Sequence, residues 1–307
     1  MTDLAADVQT LSVEVQGMTF AALTWSPADP TGAPLALCLH GYPDTPWTWR
    51  ELGPFLAARG WQVVAPYGRG YAPTDLARDG CYQLGALARD AVGLHAALGG
   101  DERAVLIGHD WGAETAPIAA VAAPERFRRL VSIAYAPGFL LRQFSSLSGV
   151  LASGPLLARQ LARNWYMYFQ LLPLLSEASL RRLIPFLWSR WSPGYDAHED
   201  VERVFEALAS PGHATAALRY YRALYLPWMR SREYAREQSH LFDVPSVPLL
   251  YLQGDRDGCL LPALAARAAA ALPPGCQFEL VRGAGHWLHL EKPQYVNQRI
   301  AEFAEGR

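Results

Sequence analysis

The sequence of 307 residues lacks a strong excess of charge of either sign: 27 lysine and arginine residues face 29 aspartate and glutamate residues, for a formal net charge of -2. This balance gives no electrostatic basis for binding nucleic acid or an anionic membrane. The first ten residues, MTDLAADVQT, have neither a basic region nor an apolar run, and no segment is apolar for long enough to span a bilayer. We therefore expect a cytoplasmic protein with no nucleic acid or membrane partner.

Cysteine is scarce as well. The four cysteines are widely spaced and form no C-x-x-C pair: Cys38, Cys81, Cys259 and Cys276. This spacing argues against a zinc site or a redox-active dithiol. The expectation is free thiols in a reducing compartment, with neither a metal ion nor a cofactor.

Hydrophobic residues are abundant, at 51% of the chain, and they predict a globular protein with a well-buried core. The strand-like segments begin with LSVEVQ and MTFAALTW, which resemble an antiparallel pair joined around Gly17. Short apolar runs follow in APLALCLHG, WQVVAP, AVLIGHD, RLVSIAYAP, VPLLYLQG and CQFELV. Helical patterns lie between several of them, so the order predicts a mostly parallel sheet of eight strands with helices on both faces.

The strand pattern is interrupted after Pro137. From Gly138 to about Arg236 the sequence is rich in Leu, Arg, Trp and Tyr with helical spacing, as in LLARQLARNWYMYF and HEDVERVFEAL. We interpret residues 138–236 as an all-helical cap inserted after the sixth strand. Residues 1–137 and 237–307 are then the two parts of the core domain.

A possible catalytic turn lies in LIGHDWG, from Leu106 to Gly112. It has the frame of the nucleophile elbow G-x-S-x-G, a sharp turn between a strand and a helix, but Asp110 occupies the serine position. The apolar AVLI before it and the alanine-rich segment after it supply the strand and the helix. The competing interpretation is an ordinary turn in which Asp110 caps the helix.

Two later segments follow in the chain order nucleophile, acid, histidine. YLQGDRDGC offers Asp255 and Asp257, and Asp257 has the usual spacing for the acid. VRGAGHWLHLEKP offers His286 in a glycine-flanked turn, with His289 as an ordinary histidine of the next helical turn.

An early loop, HGYPDTPWTW from His40 to Trp49, follows a buried strand. Such a loop can supply one backbone N–H of an oxyanion hole, and the residue after the nucleophile supplies the second. These two residues are Tyr42 and Trp111.

Together, HGYP, GHDWG, GDRD and GAGHW resemble the α/β-hydrolase superfamily, and within it the epoxide hydrolases and haloalkane dehalogenases that use an aspartate nucleophile. The resemblance covers nearly the whole chain. It implies an α/β-hydrolase fold with a helical cap and a triad of Asp110, Asp257 and His286.

A carboxylate suits this position chemically, because it is already charged at pH 7 and can attack a saturated carbon directly. The product is an alkyl-enzyme ester on Asp110. Water activated by His286 then hydrolyses the ester, while Asp257 orients the histidine. Both an epoxide oxygen and a halide fit as leaving groups.

The cap favours the epoxide, because RNWYMYFQ and LRYYRAL resemble the segments that carry the ring-opening tyrosines of epoxide hydrolases. The resemblance implies Tyr166 and Tyr221 as these tyrosines. In RNWYMYFQ the spacing from Tyr166 to the glutamine that follows it, Gln170, is one residue shorter than in that family. Tyr168 therefore stays open as a substitute for Tyr166.

The expected partners are an apolar small-molecule epoxide and water. A haloalkane dehalogenase with the same triad is the alternative, but dehalogenases usually have asparagine at the position of Tyr42. A non-catalytic ligand-binding protein is a further alternative, although such proteins normally lose a triad member. A serine esterase is disfavoured, since no serine occupies the elbow. The sequence leaves the oligomeric state open.

Overall fold

The computed structural model describes residues 8–307, except for the side chains of residues 143, 145 and 147. Residues 1–7 lie outside the described residues. They form the start of the predicted core domain. They also make up most of the first ten residues, whose composition underlies the expectation of a cytoplasmic protein.

The centre of the molecule is one mixed sheet of eight strands. Its strands are β1 (Gln9–Val15), β2 (Met18–Trp25), β3 (Leu35–Leu39), β4 (Gln62–Pro66), β5 (Val105–His109), β6 (Arg129–Ile133), β7 (Leu249–Gly254) and β8 (Gln277–Val281). The spatial order is β1-β2-β4-β3-β5-β6-β7-β8. β2 pairs antiparallel with β1 and with β4, and every other pairing in the sheet is parallel. The predicted mostly parallel eight-stranded sheet is confirmed.

The predicted hairpin between β1 and β2 is present, with Val15 opposite Met18. Gln16 and Gly17 connect the strands with φ angles of 51° and 77°. Two consecutive residues with positive φ are typical of the tight turns whose twist matches that of paired strands.

Thirteen α-helices occur within residues 8–307. They are α1 (Leu52–Ala57), α2 (Leu84–Ala97), α3 (Trp111–Ala122), α4 (Gly138–Leu141), α5 (Leu147–Arg163), α6 (Trp165–Phe169), α7 (Leu175–Trp191), α8 (His198–Ala207), α9 (Pro211–Tyr225), α10 (Ala235–Ser239), α11 (Pro262–Ala269), α12 (Leu288–Glu291) and α13 (Pro293–Glu305). In the described part of the chain, no helix is both long and apolar enough to cross a membrane.

The sheet separates two hydrophobic cores, because successive side chains of a strand point to opposite faces. On β5, Leu106 enters the core that contains side chains of α2, α3 and α11. Its neighbours Val105 and Ile107 enter the other core, with α1 and α13. The central strands are therefore buried on both faces, as their continuous apolar runs predict.

Helices α4 to α10 all lie between β6 and β7 in the chain. Short helix α10 packs against α2 and α3, and its range includes Arg236, where the predicted cap ends. The division of the chain into core and cap at residues 138 and 236 stays a prediction.

The turn between β5 and α3 requires glycine at close backbone contacts. A Cβ atom on Gly108 would lie 2.1 Å from the carbonyl oxygen of Gly112, and a Cβ on Gly112 would lie 2.2 Å from the carbonyl oxygen of Leu39. Backbone atoms cannot give way as a flexible side chain can. The strand and the helix can therefore approach this closely only because both positions lack a side chain.

We expect Gly108→Ala to lower the free energy of unfolding by about 1–3 kcal/mol, since the added methyl group must displace backbone. The matched control is Gly154→Ala in α5, where no atom lies within 4 Å of the new methyl group. This variant should instead gain about 0.5–1 kcal/mol, because alanine favours a helix over glycine. Thermal and urea unfolding measure both, and equal effects would contradict the close-contact argument.

Candidate active site

Asp110 lies at the turn between β5 and α3, with φ of 52° and ψ of −113°. A non-glycine residue with positive φ is uncommon and strained unless its surroundings hold it there. Its side chain makes no capping hydrogen bond to α3. The interpretation of Asp110 as a helix cap is therefore wrong, and the carboxylate is directed elsewhere.

One carboxylate oxygen of Asp110 faces the early HGYP loop. Oδ1 accepts a hydrogen bond of 2.8 Å from the backbone N–H of Tyr42. The loop comes so close that a Cβ atom on Gly41 would lie 2.3 Å from Oδ1. Trp111 directly follows Asp110 and begins α3. The predicted oxyanion residues, Tyr42 and Trp111, thus flank the carboxylate.

The other oxygen, Oδ2, lies 3.7 Å from Nε2 of His286. This Nε2 is buried and has no hydrogen-bond partner within residues 8–307. On the far side of the ring, Nδ1 of His286 lies 2.9 Å from Oδ2 of Asp257. The three predicted triad residues therefore meet in the order that acid-histidine-nucleophile chemistry requires.

Asp257 is held firmly. It accepts hydrogen bonds from the backbone N–H groups of Cys259 (2.6 Å) and Leu260 (3.0 Å) and from the side-chain amide of Gln253 (2.6 Å). Asp255, the alternative acid, is exposed and accepts instead from the backbone of Gly283. The choice of Asp257 over Asp255 agrees with this geometry.

The electrostatics of His286 are set by its two carboxylate neighbours. Burial by itself lowers the pKa of this imidazole, but Asp257 and Asp110 overcome that effect and raise the pKa to about 10. With Asp110 ionised, His286 is therefore an imidazolium near neutral pH. It becomes a base only when one of the two negative charges is removed.

Three other buried histidines have contacts of their own. His289 pairs with the hydroxyl of Thr48 at 2.6 Å, His109 lies 3.2 Å from the carbonyl oxygen of His286, and His95 lies 3.0 Å from the carbonyl oxygen of Asp101. None of the three lines the large cavity beside Asp110.

The C-terminal end of α7 joins the acid loop to the histidine loop. The carbonyl oxygen of Trp191 accepts hydrogen bonds from the backbone N–H groups of Gly258 (3.1 Å) and His286 (2.9 Å). Close by, the indole N–H of Trp287 donates to Asp44 of the early loop at 2.9 Å. These contacts hold together three loops that lie far apart in the sequence.

Tyr166 of α6 and Tyr221 of α9 are buried in the same cavity as Asp110, with ring centroids 5.9 Å apart. Burial raises the pKa of both phenols well above the usual range, and the charge of Asp110 raises both further. Both therefore stay protonated and can donate hydrogen bonds. Tyr168, the substitute considered for Tyr166, is 44% exposed and packs on Tyr225 away from this cavity.

The cavity has a volume of about 380 Å³. Its wall is mainly apolar, with leucine, phenylalanine and methionine side chains from α5, α6 and the segments around them. Asp110, Tyr166 and Tyr221 are polar groups on this wall. A mainly apolar cavity with a few converging polar groups is the usual form of a small-molecule site.

Several polar residues of the cavity are not apparent as site residues from sequence patterns, among them Cys259, Glu114 and Tyr135. The thiol of Cys259 lies 3.6 Å from the hydroxyl of Tyr166. Glu114 lines the cavity one helical turn after Asp110. Two features of the sequence could have pointed to two of these residues. Cys259 follows the predicted acid Asp257 by two positions, and Glu114 is a charged residue in an alanine-rich segment.

Among the described residues, two groups place three potential metal ligands within 4.8 Å of one another: Asp44, His109 and His289, and Asp110, Cys259 and His286. Asp44 already accepts from Trp287, and His286 already pairs with Asp257. All four cysteines are free thiols.

The family model described as the alpha/beta hydrolase fold matches residues 34–293. The AB hydrolase superfamily protein YfhM of Bacillus subtilis is 31% identical over 280 aligned positions, covering 89% of this chain and 91% of that protein. Epoxide hydrolase A of Mycobacterium tuberculosis is 29% identical over 307 aligned positions, covering 90% of this chain and 91% of that protein.

A solved structure, epoxide hydrolase A from Mycobacterium thermoresistibile, superimposes with a TM-score of 0.74 at 24% identity. The superposition covers 98% of this chain and 99% of the other. At this identity the likeness shows the fold, and it agrees with the sheet and helices described above.

The electrostatic coupling between Asp110 and His286 can be measured directly. Asp110→Asn should lower the pKa of His286 below about 10, because it removes one of the two charges that raise it. Histidine ¹⁵N NMR against pH reports this value without any need for activity. Asp255→Asn, an exposed neighbour in the acid loop, is the control and should leave the titration unchanged. An unchanged pKa in Asp110→Asn would contradict the contact.

Proposed function

This chain belongs to the α/β-hydrolase superfamily, in its epoxide hydrolase branch, and on that premise we propose that it opens an apolar epoxide to a vicinal diol with water as co-substrate. The observation that carries the proposal is that the Asp110 carboxylate and two buried tyrosines line one cavity. A halide leaves as a stable anion, whereas an epoxide oxygen leaves as a basic alkoxide and needs such donors.

In the first step, the Asp110 oxygen that is not bonded to Tyr42 attacks a ring carbon of the epoxide. A carbon–oxygen ester bond forms, and the ring carbon–oxygen bond breaks. The released oxygen accepts hydrogen bonds from Tyr166 and Tyr221 and takes a proton from one of them. The raised pKa of both phenols supports this role, since both carry their protons when the substrate arrives.

In the second step, His286 removes a proton from a water molecule, which attacks the Asp110 carbonyl carbon. The ester has no negative charge, so the pKa of His286 falls and the imidazole can act as a base. The oxyanion forms on Oδ1, where the N–H groups of Tyr42 and Trp111 stabilise it. Asp257 stabilises the imidazolium, which gives its proton to the departing diol oxygen. The second proton of the water, left on the Asp110 carboxyl, returns to the tyrosinate and restores both groups.

In this proposal the two predicted parts of the chain have separate roles. The core, residues 1–137 and 237–307, supplies Asp110, Asp257 and His286. The cap, residues 138–236, supplies both tyrosines and part of the apolar wall, and the core supplies the rest of that wall. The wall supports an apolar substrate, because each apolar group transferred from water to the cavity adds to binding.

The two-step mechanism predicts that His286→Gln accumulates the ester. Alkylation of Asp110 does not need the histidine as a base, whereas hydrolysis of the ester does. Intact-protein mass spectrometry after mixing with an epoxide such as styrene oxide should show a mass increase equal to that of the substrate. Asp110→Ala is the control and should show no adduct. Absence of an adduct in His286→Gln would refute the covalent route.

The tyrosines provide the test between epoxide and halide. Tyr221→Phe should slow alkylation by roughly 10–10³-fold, as expected for loss of one donor to a developing oxyanion. Loss of both Tyr166 and Tyr221 should cost much more, because one can partly replace the other. Hydrolysis of the ester should barely change. Single-turnover kinetics separates the two steps.

Tyr168→Phe is the matched control, since this exposed side chain lies outside the cavity. It should leave both steps unchanged. Unchanged alkylation in the double variant would instead favour halide displacement, with Trp111 as the donor, and activity on 1-haloalkanes would confirm that alternative.

A further inference from the structure

Glu114 is a buried carboxyl group in the cavity that the proposed mechanism does not use. It lies on the first turn of α3 and is 6% exposed. Its Oε2 accepts a hydrogen bond of 2.9 Å from the backbone N–H of Gly138. Within the described part of the chain, Oε1 has no hydrogen-bond partner and no cationic side chain pairs with the group.

An ionised carboxylate with no cation beside it is energetically unfavourable in an apolar wall. Burial raises the pKa of Glu114 to about 8, and only the Gly138 N–H opposes this effect. Near neutral pH the carboxyl is therefore largely protonated, and it can both donate and accept a hydrogen bond. The bond to Gly138 uses one oxygen, which leaves the second polar atom available to whatever fills the cavity.

Tyr135, two residues after the end of β6, lines the same cavity. Burial raises the pKa of its phenol, and the charges of Glu114 and Asp110 are the next largest causes. Tyr135 therefore lies within electrostatic range of both carboxyl groups. Its hydroxyl is a further donor and acceptor on the wall of the cavity that Glu114 also lines.

We propose that Glu114 and Tyr135 form a polar subsite that binds a hydroxyl group carried by the epoxide substrate. The inference rests on the proposed function and narrows the substrate class to hydroxylated epoxides. Because Glu114 and Asp110 line one cavity of about 380 Å³, the hydroxyl and the oxirane must belong to the same small molecule.

Three kinds of substituent would meet this subsite differently. An alkyl group would displace water from the carboxyl without replacing its hydrogen bonds, which is unfavourable. An ammonium group would require the carboxyl to ionise in its buried setting. A hydroxyl group matches a protonated carboxyl, since each can donate to and accept from the other.

The test compares a short-chain epoxy alcohol, its methyl ether and the epoxyalkane with the same carbon skeleton. In the wild type, kcat/KM should favour the alcohol over both analogues by roughly 10-fold, the effect of one well-placed hydrogen bond. In Glu114→Leu this preference should disappear, while kcat/KM for the epoxyalkane stays within a few-fold of the wild type. The preference is a ratio of two kcat/KM values measured on one preparation of a variant. It therefore does not depend on what fraction of that protein is folded.

Glu114→Gln is the second variant, because its amide oxygen can still accept from Gly138 and preserve the fold. It can donate through its NH₂ group but has no second acceptor, so it should retain only part of the preference. A wild-type enzyme that turns over the alcohol and its ether equally would overturn the subsite, as would a Leu variant with the wild-type ratio. A stronger preference for an amino epoxide would overturn it as well. Failure of the wild type on all epoxides would instead reject the proposed function.

Discussion

The negative charge of Asp110, buried at a strained turn, is the constraint on which the rest of the site depends. A positive φ angle directs the side chain away from α3, and glycine at positions 108 and 112 lets the strand and helix come close enough to form the turn. The N–H of Tyr42 and the imidazole of His286 then compensate the charge from two sides. Asp110 helps to raise the pKa of His286, so the protonation of this imidazole depends on the charge of the carboxylate.

The helical insertion contributes to the geometry of the loops as well as to the cavity wall. The carbonyl oxygen of Trp191, at the end of α7, joins the loops of Asp257 and His286. The indole of Trp188 stacks on Trp287 at 3.4 Å and donates to the carbonyl oxygen of Pro43. The sheet thus brings the three loops to one edge, and α7 holds them in contact.

Two carboxyl groups one helical turn apart have very different surroundings. Asp110 has a backbone donor on one oxygen and an imidazole near the other. Glu114 has one backbone donor and no cation among the described residues. Different environments for like groups are how a single site divides chemical roles. Here one carboxyl group has polar neighbours at both oxygens, and the other has a single donor and a pKa that burial raises to about 8.

The sequence by itself determined the eight strands, because buried strands read as short apolar runs, and the triad candidates, because each follows a strand with a recognisable spacing. Only the tertiary structure shows that Tyr166, and not Tyr168, lies in the cavity with Asp110. Residues two apart in a helix lie on nearly opposite sides, and the packing of short helix α6 chooses the side that is buried. The tertiary structure also decided that Tyr166 contacts Cys259, 93 positions further along the chain, and that Glu114 lies in the cavity. Such contacts depend on how separate elements pack, which local patterns of hydrophobicity do not encode.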